Sequence, residues 1–290
     1  MARCKLCQSD KPLKTSHIIP AFFIKWFKDT SGTGYFRNAT QPNLRLQDGP
    51  KQKLLCDSCE QRFGVWEASV AEGFFPAVTS GGPPWEYGDW LIKFAASLCW
   101  RNLVVRAQRN DYGKNLSSDQ LRLADRSMEV WRRFLLGIDS LKKSEFHFLP
   151  VDLIESAGGI KVPANLNRYL TRCYDLDLVA GKRTAFVLCK LGPMFFLGFI
   201  ENSRQQWEGT RINLPGGQFK GNTIVPIEFR DYMFERAIAL STVKKAISPK
   251  QVERVSETMK KDLNRVLGSE SYRATEADIR MSGWDEVFPQ

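Results

Sequence analysis

The spacing of hydrophobic positions along the chain changes several times, and each change marks an element. From Pro20 to Asp29 the run Pro-Ala-Phe-Phe-Ile-Lys-Trp-Phe-Lys-Asp reads as a short helix with proline in its first turn, a position that tolerates the missing N–H. Ser31-Gly-Thr-Gly34 breaks it. Residues 38–53 are polar and carry Pro42 and Asp48-Gly49-Pro50, the signature of a loop. Leu54-Leu55 leads into Cys56, and Glu60 to Glu72 sets Phe63, Trp66 and Val70 at i, i+3 and i+7, the spacing of a helix. A Gly/Pro-rich stretch, Thr79-Ser-Gly-Gly-Pro-Pro84, then interrupts the pattern.

Beyond it the pattern is first helical and then alternating. Trp90 to Ala107 and Ser118 to Ile138 read as helices, the second opened by the capping residues of Ser117-Ser-Asp-Gln120. Arg168 to Val179 alternates in part, as a strand would. Thr184 to Leu191 and Met194 to Glu201, rich in Val, Phe and Leu, flank Gly192-Pro193 and predict a hairpin, and Asn222 to Phe229 predicts a further strand. Two helices follow, Arg230 to Ala246 and Pro249 to Leu267; in the second, Val252, Val255, Met259, Leu263 and Val266 recur at helical intervals. No internal repeat interrupts this order. The expected fold class is α+β: an N-terminal domain over 1–78, then a larger domain over 85–290 with an antiparallel sheet and flanking helices.

Composition narrows the function classes. A length of 290 residues suits about two domains. With 43% hydrophobic and 26% charged residues, the chain is neither disordered nor fibrous. Lys and Arg outnumber Asp and Glu by 42 to 32, and the resulting +10 suits a polyanionic partner such as nucleic acid, although no polybasic tail concentrates it. The apolar stretches Met194–Ile200 and Leu91–Val105, the latter interrupted by Lys93 and Arg101, are too short or too charged to span a bilayer. No signal-like apolar run precedes the first cysteines, so a cytoplasmic protein without a membrane span is expected.

The cysteines carry the sharpest signal. Four of the seven form two pairs of identical spacing, Cys4-x-x-Cys7 and Cys56-x-x-Cys59, which is how a tetrahedral zinc is held by two knuckles. A site of four thiolates is closed, so this zinc stabilises the fold and catalysis must lie elsewhere. Cys99, Cys173 and Cys189 stand singly in apolar surroundings and read as core. Of the two histidines, His147 alternates with aromatics in Glu145-Phe-His-Phe148 and reads as a structural strand residue, while His17 sits in Thr15-Ser-His-Ile-Ile-Pro20 between the cysteine pairs. The phenylalanines and tryptophans mostly follow amphipathic spacing and read as core.

A cysteine pair, then a histidine followed by Ile-Ile-Pro, then Leu-Leu-Cys56-Asp-Ser-Cys59 running into a helix resembles the four-cysteine branch of the HNH endonucleases, the ββα-metal or treble-clef nucleases. The resemblance covers roughly the first 70 residues. It implies that His17 is the general base that activates water against a phosphodiester, a task suited to an imidazole whose unperturbed pKa lies near neutrality. It also implies a divalent cation, Mg or Mn. The ligand before the histidine is normally an acid and is here Ser16; the ligand after the last cysteine, often a histidine, is here Glu60. The asparagine that orients the histidine corresponds best to Asn43, with Gln47 and Gln52 as rivals. Lys51, Lys53 and Arg62 are candidate phosphate contacts. Glu67 and Glu72 lie seven and twelve residues after Glu60, and Glu67 reads as a surface or salt-bridging residue rather than a ligand. The function so implied is metal-dependent hydrolysis of DNA, in phage defence or a mobile element. The alternative is a four-cysteine zinc finger without catalysis that binds nucleic acid or a partner protein, and a protein partner or self-association stays open in either case.

Overall fold

The computed structural model describes residues 2–141, 144–202 and 206–288. In chain order, β1 (Leu13–His17) is followed by α1 (Ala21–Asp29), β2 (Lys51–Cys56) and α2 (Asp57–Ser69). A π-helical turn over Val70–Phe74 leads into α3 (Phe75–Ser80), then β3 (Trp85–Gly88), α4 (Asp89–Arg106) and α5 (Ser118–Leu135). Next come β4 (Phe146–Pro150), α6 (Leu166–Arg172), β5 (Tyr174–Ala180), β6 (Ala185–Leu191), β7 (Met194–Glu201) and β8 (Gly216–Phe219). Five helices close the chain: α7 (Ile227–Lys245), α8 (Pro249–Lys261), α9 (Leu263–Leu267), α10 (Glu270–Ser282) and α11 (Trp284–Val287). The strands pair antiparallel and helices flank them, so the fold is α+β. Among the described residues, no helix is long and apolar enough to cross a membrane.

Four local expectations need correction. Residues 51–53, expected as loop, open β2, because pairing with β1 supplies the order that their polar side chains do not. The alternation from Arg168 to Val179 is a helix as far as Arg172 and a strand only from Tyr174. Within Asn222–Phe229 only Ile224 pairs, as an isolated bridge to Glu208, and α7 begins at Ile227 behind Pro226. The helix expected over Pro249–Leu267 breaks at Asp262, which leaves helical geometry (φ −147°) and accepts a hydrogen bond from the Arg265 N–H to start α9.

The chain forms two units, each assembled from three segments: Met1–Pro20, Pro50–Pro150 and Tyr174–Val225 in the first, Ala21–Gly49, Val151–Cys173 and Pro226–Gln290 in the second. The stretch 79–84, where the sequence pattern breaks, lies inside the first unit. Antiparallel pairing of β1 with β2 and of β4 with β7 joins segments far apart in sequence, so composition does not mark where the units divide.

In the first unit the main sheet has the order β4-β7-β6-β5. Gly192, with φ 57°, allows the turn that sets Leu191 opposite Met194 and closes the expected hairpin. Helices α4 and α5 lie on this sheet, and α2 packs on α4. The contacts are aromatic: Phe94 meets Phe196 edge-on at 5.3 Å between ring centres, Trp131 meets Phe146 at 5.1 Å, and Phe63 of α2 meets Trp100 of α4 at 6.2 Å. Gly198 of β7 permits this approach, since a Cβ there would lie 2.9 Å from the Trp131 ring and 3.0 Å from Cys99. Ser117 and Gln120 close a reciprocal capping box at the start of α5, as its sequence predicts.

The second unit is helical. The buried Asp278 carboxylate of α10 accepts the first N–H groups of α6, from Asn167 at 2.8 Å and Arg168 at 3.1 Å. Arg172, at the other end of α6, donates to the Phe27 carbonyl and the Thr30 hydroxyl, both at 2.8 Å. These bonds satisfy helix ends that the small apolar core leaves unpaired.

Candidate metal centre and the His17 strand

Two tight pieces of backbone deliver the four thiols. The first is a knuckle at Cys4–Cys7, closed by Gln8 N–H to the Cys4 carbonyl at 2.9 Å and by the left-handed φ of 58° at Gln8. Lys5 N–H donates to the Leu54 carbonyl at 2.9 Å and ties this knuckle to β2. The second is the junction of β2 and α2, where Cys56 is the N-cap and Cys59 lies in the first helical turn. The four sulfur atoms lie within 4.8 Å of one another, and Cys7 Sγ is 3.7 Å from Cys56 Sγ. Tetrahedral zinc with bonds of about 2.3 Å sets sulfurs about 3.8 Å apart, so the donor set fits that ion. Cys56 N–H also points at Cys4 Sγ at 3.3 Å, a bond that favours the thiolate form a metal requires.

The thiols are not equivalent. Burial raises the Cys4 pKa, and it raises that of Cys59, where the neighbouring cysteines add to it. At Cys56 burial is outweighed by the Ser58 hydroxyl and by the Cys59 backbone, which bring the thiol down to about 6. At Cys7 burial is likewise outweighed, by the backbone and hydroxyl of Ser9. Loss of the proton is thus easier at one cysteine of each pair than at the other, and the N-terminus of α2 adds to this at Cys56. Among the described residues, these cysteines are the one group of three or more His, Cys, Asp or Glu side chains placed to hold an ion. Cys99 and Cys189 are core residues as expected, whereas Cys173 is half-buried at the end of α6.

Next to this centre, the end of β1 meets α2. Ser16, 1% exposed, donates its hydroxyl to Glu60 in the first turn of α2. The two positions predicted to ligate a second cation therefore touch. His17, half-buried, ends β1 opposite Lys51, and its carbonyl accepts from Arg101 of α4 at 2.8 Å. The Arg101 side chain, 3% exposed, also lies 2.7 Å from Glu67 Oε1, an ion pair without hydrogen-bond geometry. Glu67 is the salt-bridging residue its helical position predicts; Glu72 is exposed.

The remaining predicted residues lie on several elements. Lys51 and Lys53 are exposed on β2. Gln52 donates to Gln108, just beyond α4, at 2.7 Å. Arg62, exposed on α2, donates through one terminal nitrogen to the Leu135 carbonyl at the end of α5 at 3.2 Å. Asn43 belongs to the second unit, where its amide donates to the Ala246 carbonyl and accepts from Ser248 N–H, bridging α7 and α8. Gln47, in the same loop, accepts through its backbone carbonyl from Lys28. His147 is buried in β4, with Nδ1 2.8 Å from the Thr210 hydroxyl and Phe199 and Trp207 edge-on.

Two arginines were not foreseen. Arg101 sits in an apolar stretch of α4 whose residues from Phe94 to Val104 are all buried, and a charge there was its signal. Arg132 of α5 donates to the Leu6 carbonyl inside the first knuckle at 2.8 Å, and nothing in its surface-like sequence setting marked it. No family model, curated protein or solved structure matches this chain.

Proposed function

We propose that the protein is a metal-dependent endonuclease of the HNH kind, which hydrolyses phosphodiester bonds of DNA. The observation that supports this reading is the Ser16–Glu60 contact. It brings the residue before His17, 44 positions away in sequence, against the first turn of the helix that carries two of the zinc-type thiols. His17 is the general base that takes the proton of the attacking water. Glu60 and Ser16 supply the oxygens that would hold Mg or Mn, which when bound neutralises charge on the scissile phosphate. One carboxylate and one hydroxyl make a weak site, so activity requires millimolar Mg or favours Mn. Lys51 and Lys53 on β2 suit the flanking phosphates, and the net charge of +10 suits a polyanion. The four-cysteine centre holds a structural zinc. A role in phage defence or in a mobile element belongs to the same proposal.

A second reading has an observation in its favour. Serine stands where a ligating acid is expected, and its hydroxyl is already taken by Glu60, which suits a zinc platform that binds nucleic acid or a protein without cutting. The deciding experiment incubates purified protein with supercoiled plasmid and Mg or Mn, with and without excess chelator. Cation-dependent nicking that disappears in His17→Ala supports the nuclease. Retarded plasmid with no nicks supports the platform, and robust cleavage in excess chelator contradicts the mechanism.

A further inference from the structure

Arg101 lies outside the stretch that resembles the nucleases, yet its guanidinium reaches into it. The side chain runs from the middle of α4, donates through Nε to its own helix at the Ser97 carbonyl (3.3 Å), and lies over the Phe63 ring of α2 at 5.3 Å. Its two terminal nitrogens then diverge, one to the His17 carbonyl at 2.8 Å and the other to Glu67 of α2 at 2.7 Å. A guanidinium is the one side chain whose planar donors can serve three directions at once. Burying that charge is costly, and an apolar side chain of similar volume would pack α4 against Phe63 as well or better, so packing alone does not account for it. The bond it makes at His17 comes from outside the hairpin, in which His17 pairs with Lys51. His17 is the last residue of β1, and the next backbone bond is Ile18 N–H to the Pro50 carbonyl at 2.9 Å.

We propose that Arg101 is a positioning residue for His17, fixing the end of β1 to α2 so that the imidazole keeps one placement relative to Glu60. This deepens the nuclease reading and rests on it for its catalytic consequence. A misplacement of about 1 Å at a reacting group can cost about a hundredfold in rate, so a loosened strand end reduces turnover more than it weakens binding of DNA. It also means that the first 78 residues alone lack a part of the site, since the clamp is supplied by α4.

The test pairs Arg101→Met with Glu67→Gln, so that no charge is left buried and unpaired, and compares the double variant with Glu67→Gln and with the unaltered protein. Three quantities are measured on zinc-loaded, folded samples: kcat and KM for plasmid nicking with Mn, and the hydrogen exchange rate of the Ile18 amide. The expected result is a fall of about tenfold or more in kcat with KM within about twofold, and an Ile18 amide that exchanges about tenfold faster while amides within α4 keep their protection. A purely structural arginine would lower stability and exchange protection throughout α4 and leave kcat per folded molecule unchanged, and that outcome overturns the proposal. Should the double variant not fold, Arg101→Lys carries the same comparison, because an ammonium cannot hold His17 and Glu67 together; wild-type kcat and Ile18 exchange in that variant would also overturn it. If the unaltered protein does not nick DNA, the nuclease reading fails, and Ile18 exchange alone still decides whether Arg101 holds the strand end.

Discussion

At the scale of single residues, the proposed function sets the two histidines apart, one for chemistry and one for stability. On the nuclease reading proposed above, His17→Ala is expected to lower nicking by about two to four decades while zinc content and melting temperature stay close to the unaltered values, because a general base contributes rate and the half-buried residue lies outside the main core. Parallel activity assays and thermal melts check this, and a variant that also loses its zinc would make His17 a structural plug. His147 behaves in the opposite way. Burial holds its pKa down at about 4; the opposing pull of Glu145 is too weak to restore it, and Arg211 adds to the depression. The folded protein therefore keeps this imidazole neutral, while the unfolded chain protonates it near 6.5. Its stabilising contribution is complete above about pH 6.5 and is lost as pH falls toward 4, on the order of 3 kcal/mol in all. Asp278, raised by burial to about 6, works in the other direction, since its neutral form is the one the fold prefers. The comparison of urea midpoints at pH 7, 5.5 and 4.5 between the unaltered protein and His147→Gln isolates the first effect. The variant should lose less stability on acidification, and equal pH dependence in both would contradict the assignment.

At the scale of elements, the sheet tolerates helices only because one strand has no side chain at the crossing. Gly198→Ala would bring a methyl group to 2.9 Å from Trp131 and 3.0 Å from Cys99 and the Phe146 ring, inside a core with no room to yield. The expected cost is about 1 to 3 kcal/mol, read as a lower denaturation midpoint with an unchanged slope. The same elements show what pattern reading can reach. The β6–β7 hairpin, α4 and α5 were legible because their apolar spacing is long and their punctuation, Gly192-Pro193 and Ser117 with Gln120, is specific. The segment Arg168–Val179 was not. Its alternation holds in β5, but α6 is fixed by the Asp278 carboxylate at its N-terminus, from a helix more than a hundred positions away. Residues 51–53 of β2 are polar and take their conformation from β1.

At the scale of the whole molecule, the candidate metal centre is the point where folding and composition meet. The two knuckles and the β1–β2 hairpin bury few large side chains of their own, so removing zinc should unfold this part before the main sheet. A strong chelator is expected to abolish exchange protection in β1 and β2 while protection in β6 and β7 persists, and Cys56→Ser should retain less than one zinc per chain. Uniform loss of protection throughout would mean that the first unit is a single cooperative structure. The sequence by itself determined the four thiols of the candidate metal site, the α+β class, the hairpin and the long helices, because each depends on spacing between near neighbours or on residue chemistry that no context can change. Only the tertiary structure decided that Ser16 touches Glu60, that Arg101 is tied to the end of β1 and Arg132 to the first knuckle, that Arg62 reaches the Leu135 carbonyl and Asn43 the Ala246 carbonyl, and that the units divide at 20, 49, 150, 173 and 225. Those facts depend on which distant segments pair, and pairing is chosen by the total surface buried across the fold, a quantity that no local pattern contains.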